Sequence, residues 1–187
     1  MTRKFISLLF LAMLTVTSSY AVNSFFTPLD LDFNGVKFEL KYSTNPLQGY
    51  FKQEYVPSGQ SVEHYNDMLI IDVLEAKTSP KDAKQVKITE LEQMKANGFY
   101  VRYDERKVGN NFVLDFVIMA KINNESVLEH NIYHYTTQYG RLVLFALSHR
   151  EYGEVSMRAY LDKDINEFSE KGIKATMPVV KFKSTYP

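Results

Sequence analysis

Apolar and polar residues alternate in short runs through most of this chain, and a turn signal ends each run. Leu29-Asp-Leu-Asp-Phe33 and Val36-Lys-Phe-Glu-Leu-Lys-Tyr42 alternate on either side of Asn34-Gly35. Asn-Gly between two such runs predicts a tight hairpin, because a type I′ turn needs positive φ at both central residues. Gly49–Val56 predicts a third strand, ended by Pro57-Ser-Gly59, and Ser61–Asn66 predicts a short helical turn. Met68-Leu-Ile-Ile-Asp-Val-Leu74 is almost wholly apolar and predicts a strand buried on both faces. Farther on, Phe99–Lys107, Phe112–Lys121, Val127–Thr136 and Leu142–His149 predict a meander of long antiparallel strands.

Two stretches carry helical periodicity instead. Ser79-Pro80 reads as an N-cap followed by proline at the first helical position, and the helix should run to about Asn97 with Gly98 as its stop. Ala83, Val86, Leu91 and Met94 would form its apolar face. The second helix should span Glu154–Lys171, end at Gly172, and bury the stripe Met157, Leu161, Ile165 and Phe168. Met177–Phe182 reads as a short edge strand, kept from the sheet centre by Pro178. The expected fold is therefore α+β: one antiparallel sheet of about six to seven strands with two long helices packed on it.

The first 21 residues break this pattern. Arg3 and Lys4 precede an apolar run from Phe5 to Val16, and Ser19 and Ala21 hold the −3 and −1 positions of a small-residue cleavage site. That order is the order of a secretory signal peptide. The apolar run is too short for a bilayer core, which needs roughly 20 residues. Residues 1–21 are thus read as a cleavable leader, 22–28 as a flexible lead-in, and 29–187 as a single domain. The expected location is periplasmic or secreted, and bacterial, with no membrane insertion once the leader is removed.

Composition narrows the chemistry. Removing the leader leaves twenty basic against 22 acidic residues, which gives no reason to expect nucleic acid or an anionic membrane surface as a partner. The chain has no cysteine, which excludes disulfides, thiolate metal sites, cysteine nucleophiles and a lipid anchor through cysteine. The sequence holds no Gly-x-Ser-x-Gly elbow, His-Glu-x-x-His, phosphate-cradling glycine loop or dinucleotide fingerprint. No cofactor, metal or catalytic set is expected.

Four histidines stand at 64, 130, 134 and 149. If Thr137–Gly140 is a four-residue hairpin loop, residue 130 faces 147 and residue 128 faces 149. His130 and His149 are then diagonal neighbours on one face, roughly 7–8 Å apart at Cα. His134 lies about 13 Å from His130 along the strand, too far to share a metal ion. A one-residue slip would reverse the faces. The pair is a candidate polar site; its other reading is a structural, hydrogen-bonded pair on an apolar face. Ser148 precedes His149 directly, so it points to the opposite face and cannot use that ring as a base.

Tyrosine and phenylalanine each occur 13 times and tryptophan never. Such aromatics suit half-buried strands. Tyrosine also favours binding patches. On that second reading Tyr50, Tyr55, Pro57 and Tyr65, around a loop-rich segment, form the candidate contact surface.

The element order, with Tyr55-Val-Pro-Ser-Gly59 leading to Tyr65 and the strand Met68–Leu74, resembles the PsbP/Mog1-like group over about residues 30–182. The resemblance implies an α/β/α sandwich and a protein-binding or accessory role, and it carries over no catalytic residue. The functional expectation is a non-catalytic binding module of the cell envelope with a protein partner. Two others stand beside it: a small-molecule carrier or sensor with a pocket between helix and sheet, and a small hydrolase using His130 or His149.

Overall fold

The computed structural model describes residues 28–75, 77–122 and 124–175. The proposed leader, most of the lead-in and the expected strand Met177–Phe182 lie outside them. The chain runs β1 (Asp30–Phe33), β2 (Val36–Leu47), β3 (Tyr50–Pro57), β4 (Asp67–Leu74), α1 (Pro80–Ala96), β5 (Tyr100–Val108), β6 (Asn111–Ile122), β7 (Glu125–Gln138), β8 (Arg141–Tyr152), α2 (Glu154–Lys163) and α3 (Ile165–Ile173). All eight strands form one antiparallel sheet in the order β1-β2-β3-β4-β8-β7-β6-β5.

This corrects the expected architecture of six to seven strands with two long helices, and with it the sandwich implied by the resemblance. Among the described residues there are eight strands and three helices. The count rises because the N-terminal hairpin and the four-stranded meander join through β4 and β8, which pair along their whole lengths from Asp67↔His149 to Leu74↔Leu142. The helix number rises because the expected Glu154–Lys171 helix breaks at Asp164 (φ −100°, ψ −18°). Ser61–Asn66 is not helical; its bends are held by the Ser61 Oγ, which accepts from His64 N at 3.2 Å, and by Gln60 Oε1, which accepts from Asn66 N at 2.8 Å.

Helix α1 begins and ends as its sequence directs. Ser79 Oγ accepts from Asp82 N at 3.1 Å. At the far end Gly98 N donates to Lys95 O and Phe99 N donates to Met94 O, both at 3.1 Å, closing a Schellman turn. It covers the sheet face that presents Leu114, Phe116, Tyr133, Tyr135, Ile70 and Ala146, and it buries Lys84, Ile88 and Leu91 against them. Val86, expected on this face, is 52% exposed. Lys84 takes part in the buried row by laying its stem on the sheet while its ammonium pairs with Glu105.

The other face carries two apolar clusters. Val117 and Leu128 pack with Met157, Tyr160 and Ile165 of α2 and α3. Phe38, Leu40, Tyr55, Leu69, Ile71, Val143, Phe145 and Leu147 form the second cluster, and Phe168 packs against both. The second cluster is covered partly by the sheet itself. Phe33 of β1 lies 5.9 Å, ring to ring, from Phe145 of β8, although four strand steps would separate them by roughly 19 Å in a flat sheet. The N-terminal hairpin therefore curls over its own core.

Gly172 was expected to stop the last helix, yet it lies inside α3. A methyl group there would collide with Ile132 Cδ1 and stand 3.2 Å from its Cγ1. Glycine is what lets α3 sit directly on β7. We expect Gly172→Ala to cost about 1–3 kcal/mol through overpacking. Ile132→Val removes the colliding atom, so Gly172→Ala/Ile132→Val should be more stable than the two single effects sum to, as read by urea melts. Additive losses would refute close helix–sheet contact at this point.

Candidate functional site

The four residues of the expected contact surface do not form one. Tyr50, Tyr55 and Tyr65 are buried, and Pro57 is half-buried. They also serve different places. Tyr50 Oη donates to Asp72 Oδ2 at 3.0 Å, beside the Lys52–Glu54 ion pair at 3.0 Å. Tyr55 belongs to the curled core, accepting from Gln53 Nε2 at 3.0 Å and donating to Pro28 O at 3.2 Å. Tyr65 sits on the α1 face, where its Oη donates to Glu129 Oε2 at 3.2 Å and meets Ser148 Oγ at 3.1 Å. The Arg150 guanidinium stacks over its ring at 4.3 Å and pairs with Glu129 at 2.7 Å. Burial opposes ionisation of Glu129, but Arg150 and the surrounding donors hold it below the ordinary carboxylate range. The aromatic loop is thus pinned inward by a buried charge pair. Alternation alone could not reveal this, because the partners lie 64 to 85 residues away.

The histidines do converge, and more closely than expected. The turn between β7 and β8 holds two residues, Tyr139 (φ 50°) and Gly140 (φ 76°), with Gln138 facing Arg141. The register therefore moves by two positions from the four-residue loop read in the sequence. His130 faces His149 directly, and the faces stay as expected. A two-residue turn of this type demands positive φ at both positions, which tyrosine does not advertise.

His130 is wholly buried. Its Nε2 is hydrogen-bonded to Asp115 Oδ1 at 2.7 Å, and its Nδ1 to Tyr160 Oη at 2.7 Å. Ser169 Oγ lies 3.4 Å from the same Nε2. His149 stands between Asp67 Oδ1 (2.9 Å from Nδ1) and Glu151 Oε1 (3.0 Å from Nε2), and Tyr160 stacks on its ring at 4.7 Å. Ser156 of α2 donates to the other oxygen of Glu151. His134 Nε2 donates to Gly172 O at 2.8 Å. Each of these three rings joins the sheet to α2 or α3, and His64 stacks on Tyr152 at 4.3 Å elsewhere. Among the described residues no group of three His, Asp or Glu side chains is arranged to hold a metal ion.

The geometry decides what these groups can do. In a serine triad the base must receive the serine on one ring nitrogen and the carboxylate on the other. Here Asp115 and Ser169 address the same nitrogen of His130, and Tyr160 takes the second. His149 has a carboxylate on each nitrogen and so has no nitrogen open to a substrate. Burial opposes ionisation of Asp115, yet hydrogen bonds from His130 and Ser169 hold its carboxyl below the ordinary value. Asp115 interrupts the apolar run Val113–Val117 on the buried parity of its strand. That was the one signal in the sequence that could have marked it; Tyr160, Ser169, Asp67 and Glu151 carried none.

Beside this network a cleft of about 420 Å3 opens between α3 and the strands β5 and β6. Arg102, Asp104 and Arg106 form one wall, Asp115 lies in the floor, and Asn166 and Ser169 of α3 form the other wall. Its size suits a small ligand or one or two side chains, and its lining is polar and charged of both signs.

Burial opposes the charged ring of His149, but Asp67 and Glu151 outweigh it and raise its pKa above the ordinary 6.5. Carboxylates only accept, so the imidazolium is the form that satisfies both contacts. A raised folded value means that the ring's stabilisation is full below the unfolded pKa and is lost as pH rises through the folded pKa. His134 has the opposite sign, because burial lowers its pKa and only partly yields to the Gly172 carbonyl. The difference in melting temperature between the protein and His149→Gln should therefore shrink as pH rises from about 5 to about 9. A difference that does not change over this range would refute a charged ring.

No helix among the described residues is long and apolar enough to cross a membrane. No curated protein matches the sequence, and nothing found links it to the PsbP/Mog1-like group. A family model does match residues 25–177, most of the chain and every element from β1 to α3. The chain therefore belongs to that family, whose model spans residues 25–177.

Proposed function

We propose that the protein is a non-catalytic binding module of the cell envelope, exported by a leader cleaved after Ala21, and that it meets a protein partner at the β5 side of the sheet. The observation that carries this reading is the division of labour around His130. The groups suited to proton transfer are engaged in fastening α2 and α3, while the adjoining open feature is a cleft lined by charged groups of both signs. Guanidinium and carboxylate groups on one exposed wall suit the polar side chains of a partner. The leader and the near-neutral charge support the location.

The cleft itself favours one second reading, a carrier for a small polar molecule bound between α3 and β5. The two readings separate in one experiment. A photo-crosslinking amino acid is placed at Arg102, on the cleft wall, and at Val86, exposed on α1. In cells, the Arg102 position should form a discrete protein adduct and the Val86 position none. N-terminal sequencing should find the chain starting at Val22 in the envelope fraction. A small molecule co-purifying with the protein, with no adduct from Arg102, would favour the carrier. A chain starting at Met1 in the cytosol would overturn the location.

A further inference from the structure

Among the described residues the sheet ends in two strands, β1 and β5. β1 has four residues, whereas β5 has nine. A long edge with unpaired backbone groups is a template for another strand. Around it stand the exposed apolar residues Phe99 (43%) and Tyr100 (49%). Along the cleft face of β5 the charges alternate as Arg102, Asp104 and Arg106. That pattern is complementary to itself when reversed and shifted. We propose that β5 pairs antiparallel with β5 of a second copy, about a two-fold axis at Tyr103.

The register follows from the sequence of β5. Directly opposite residues share a face, so a two-fold axis through the strand must pass through a residue to keep both cores on their proper sides. Centring it on Asp104 puts Asp104 against Asp104 and Arg102 against Arg106. Centring it on Glu105 puts Glu105 against Glu105. Like charges directly opposite are destabilising. Centring it on Tyr103 places Arg102 of each copy against Asp104 of the other, Tyr103 against Tyr103, Tyr100 against Arg106 and Phe99 against Lys107. No like charges then meet, and both exposed aromatic residues gain a neighbour. The internal Asp104–Arg106 pair is more than half exposed on both sides and gives little resistance to this exchange. The two clefts would flank the junction, each completed by a charged residue of the other copy.

This inference deepens the binding reading by naming what occupies the edge. Sedimentation at high micromolar concentration should show a dimer. Arg102→Asp and Asp104→Arg should each weaken it roughly ten-fold, and the double exchange should restore it, since two opposite-sign pairs are broken and remade. The chain has no cysteine, so Tyr103→Cys should form an intermolecular disulfide on mild oxidation, while Glu105→Cys should react roughly ten-fold more slowly. A monomeric protein at that concentration, a double exchange no tighter than the singles, or equal oxidation rates would each overturn the proposal. A monomer that still gives the Arg102 adduct in cells would leave the binding reading standing; a dimer with no other adduct would remove its separate partner.

Discussion

The pairing of β7 with β8 is the constraint on which the rest of the molecule depends. A two-residue turn at Tyr139-Gly140 sets the register, and the register puts His130 opposite His149 under α2 and α3. Shifting one strand by one residue would turn its histidine to the α1 face and part the two rings. Because β8 also pairs with β4, the same turn decides how the N-terminal hairpins meet the meander. One local backbone choice therefore positions both halves of the sheet and the seat of two helices.

Polar contacts hold these helices as much as apolar burial does. Tyr160 is shared between the two histidines: it hydrogen-bonds His130 and stacks on His149. His134 reaches the backbone of α3, and Gly172 lets that backbone come close. Directed contacts of this kind fix where a helix lies, whereas an apolar stripe fixes only which side it buries. The buried Arg150–Glu129 pair does the same for the loop carrying Tyr65. Such pairs contribute little net stability, but removing one partner is costly because a charge is left buried alone.

The functional reading follows from where charge remains open to solvent. The α1 face and the curled core are filled, and the histidines are engaged. Among the described residues, the cleft and β5, the longer of the two outer strands, present guanidinium and carboxylate groups side by side. The proposed binding role would use such a surface through complementary charge and backbone pairing.

The sequence by itself determined most of the elements. Asn34-Gly35 marked the first hairpin, Ser79-Pro80 and Gly98 bounded α1, and alternation located the long strands, because each signal is local and acts within a few residues. It also determined that His130 and His149 share a face, since parity survives a two-residue error in register. Only the tertiary structure decided that Tyr50, Tyr55 and Tyr65 are core residues, that Asp164 divides the last helix, and that Asp115 and Tyr160 complete the histidine cluster. Those outcomes depend on partners tens of residues distant, and a side chain's burial is settled by what folds over it rather than by its neighbours in the chain.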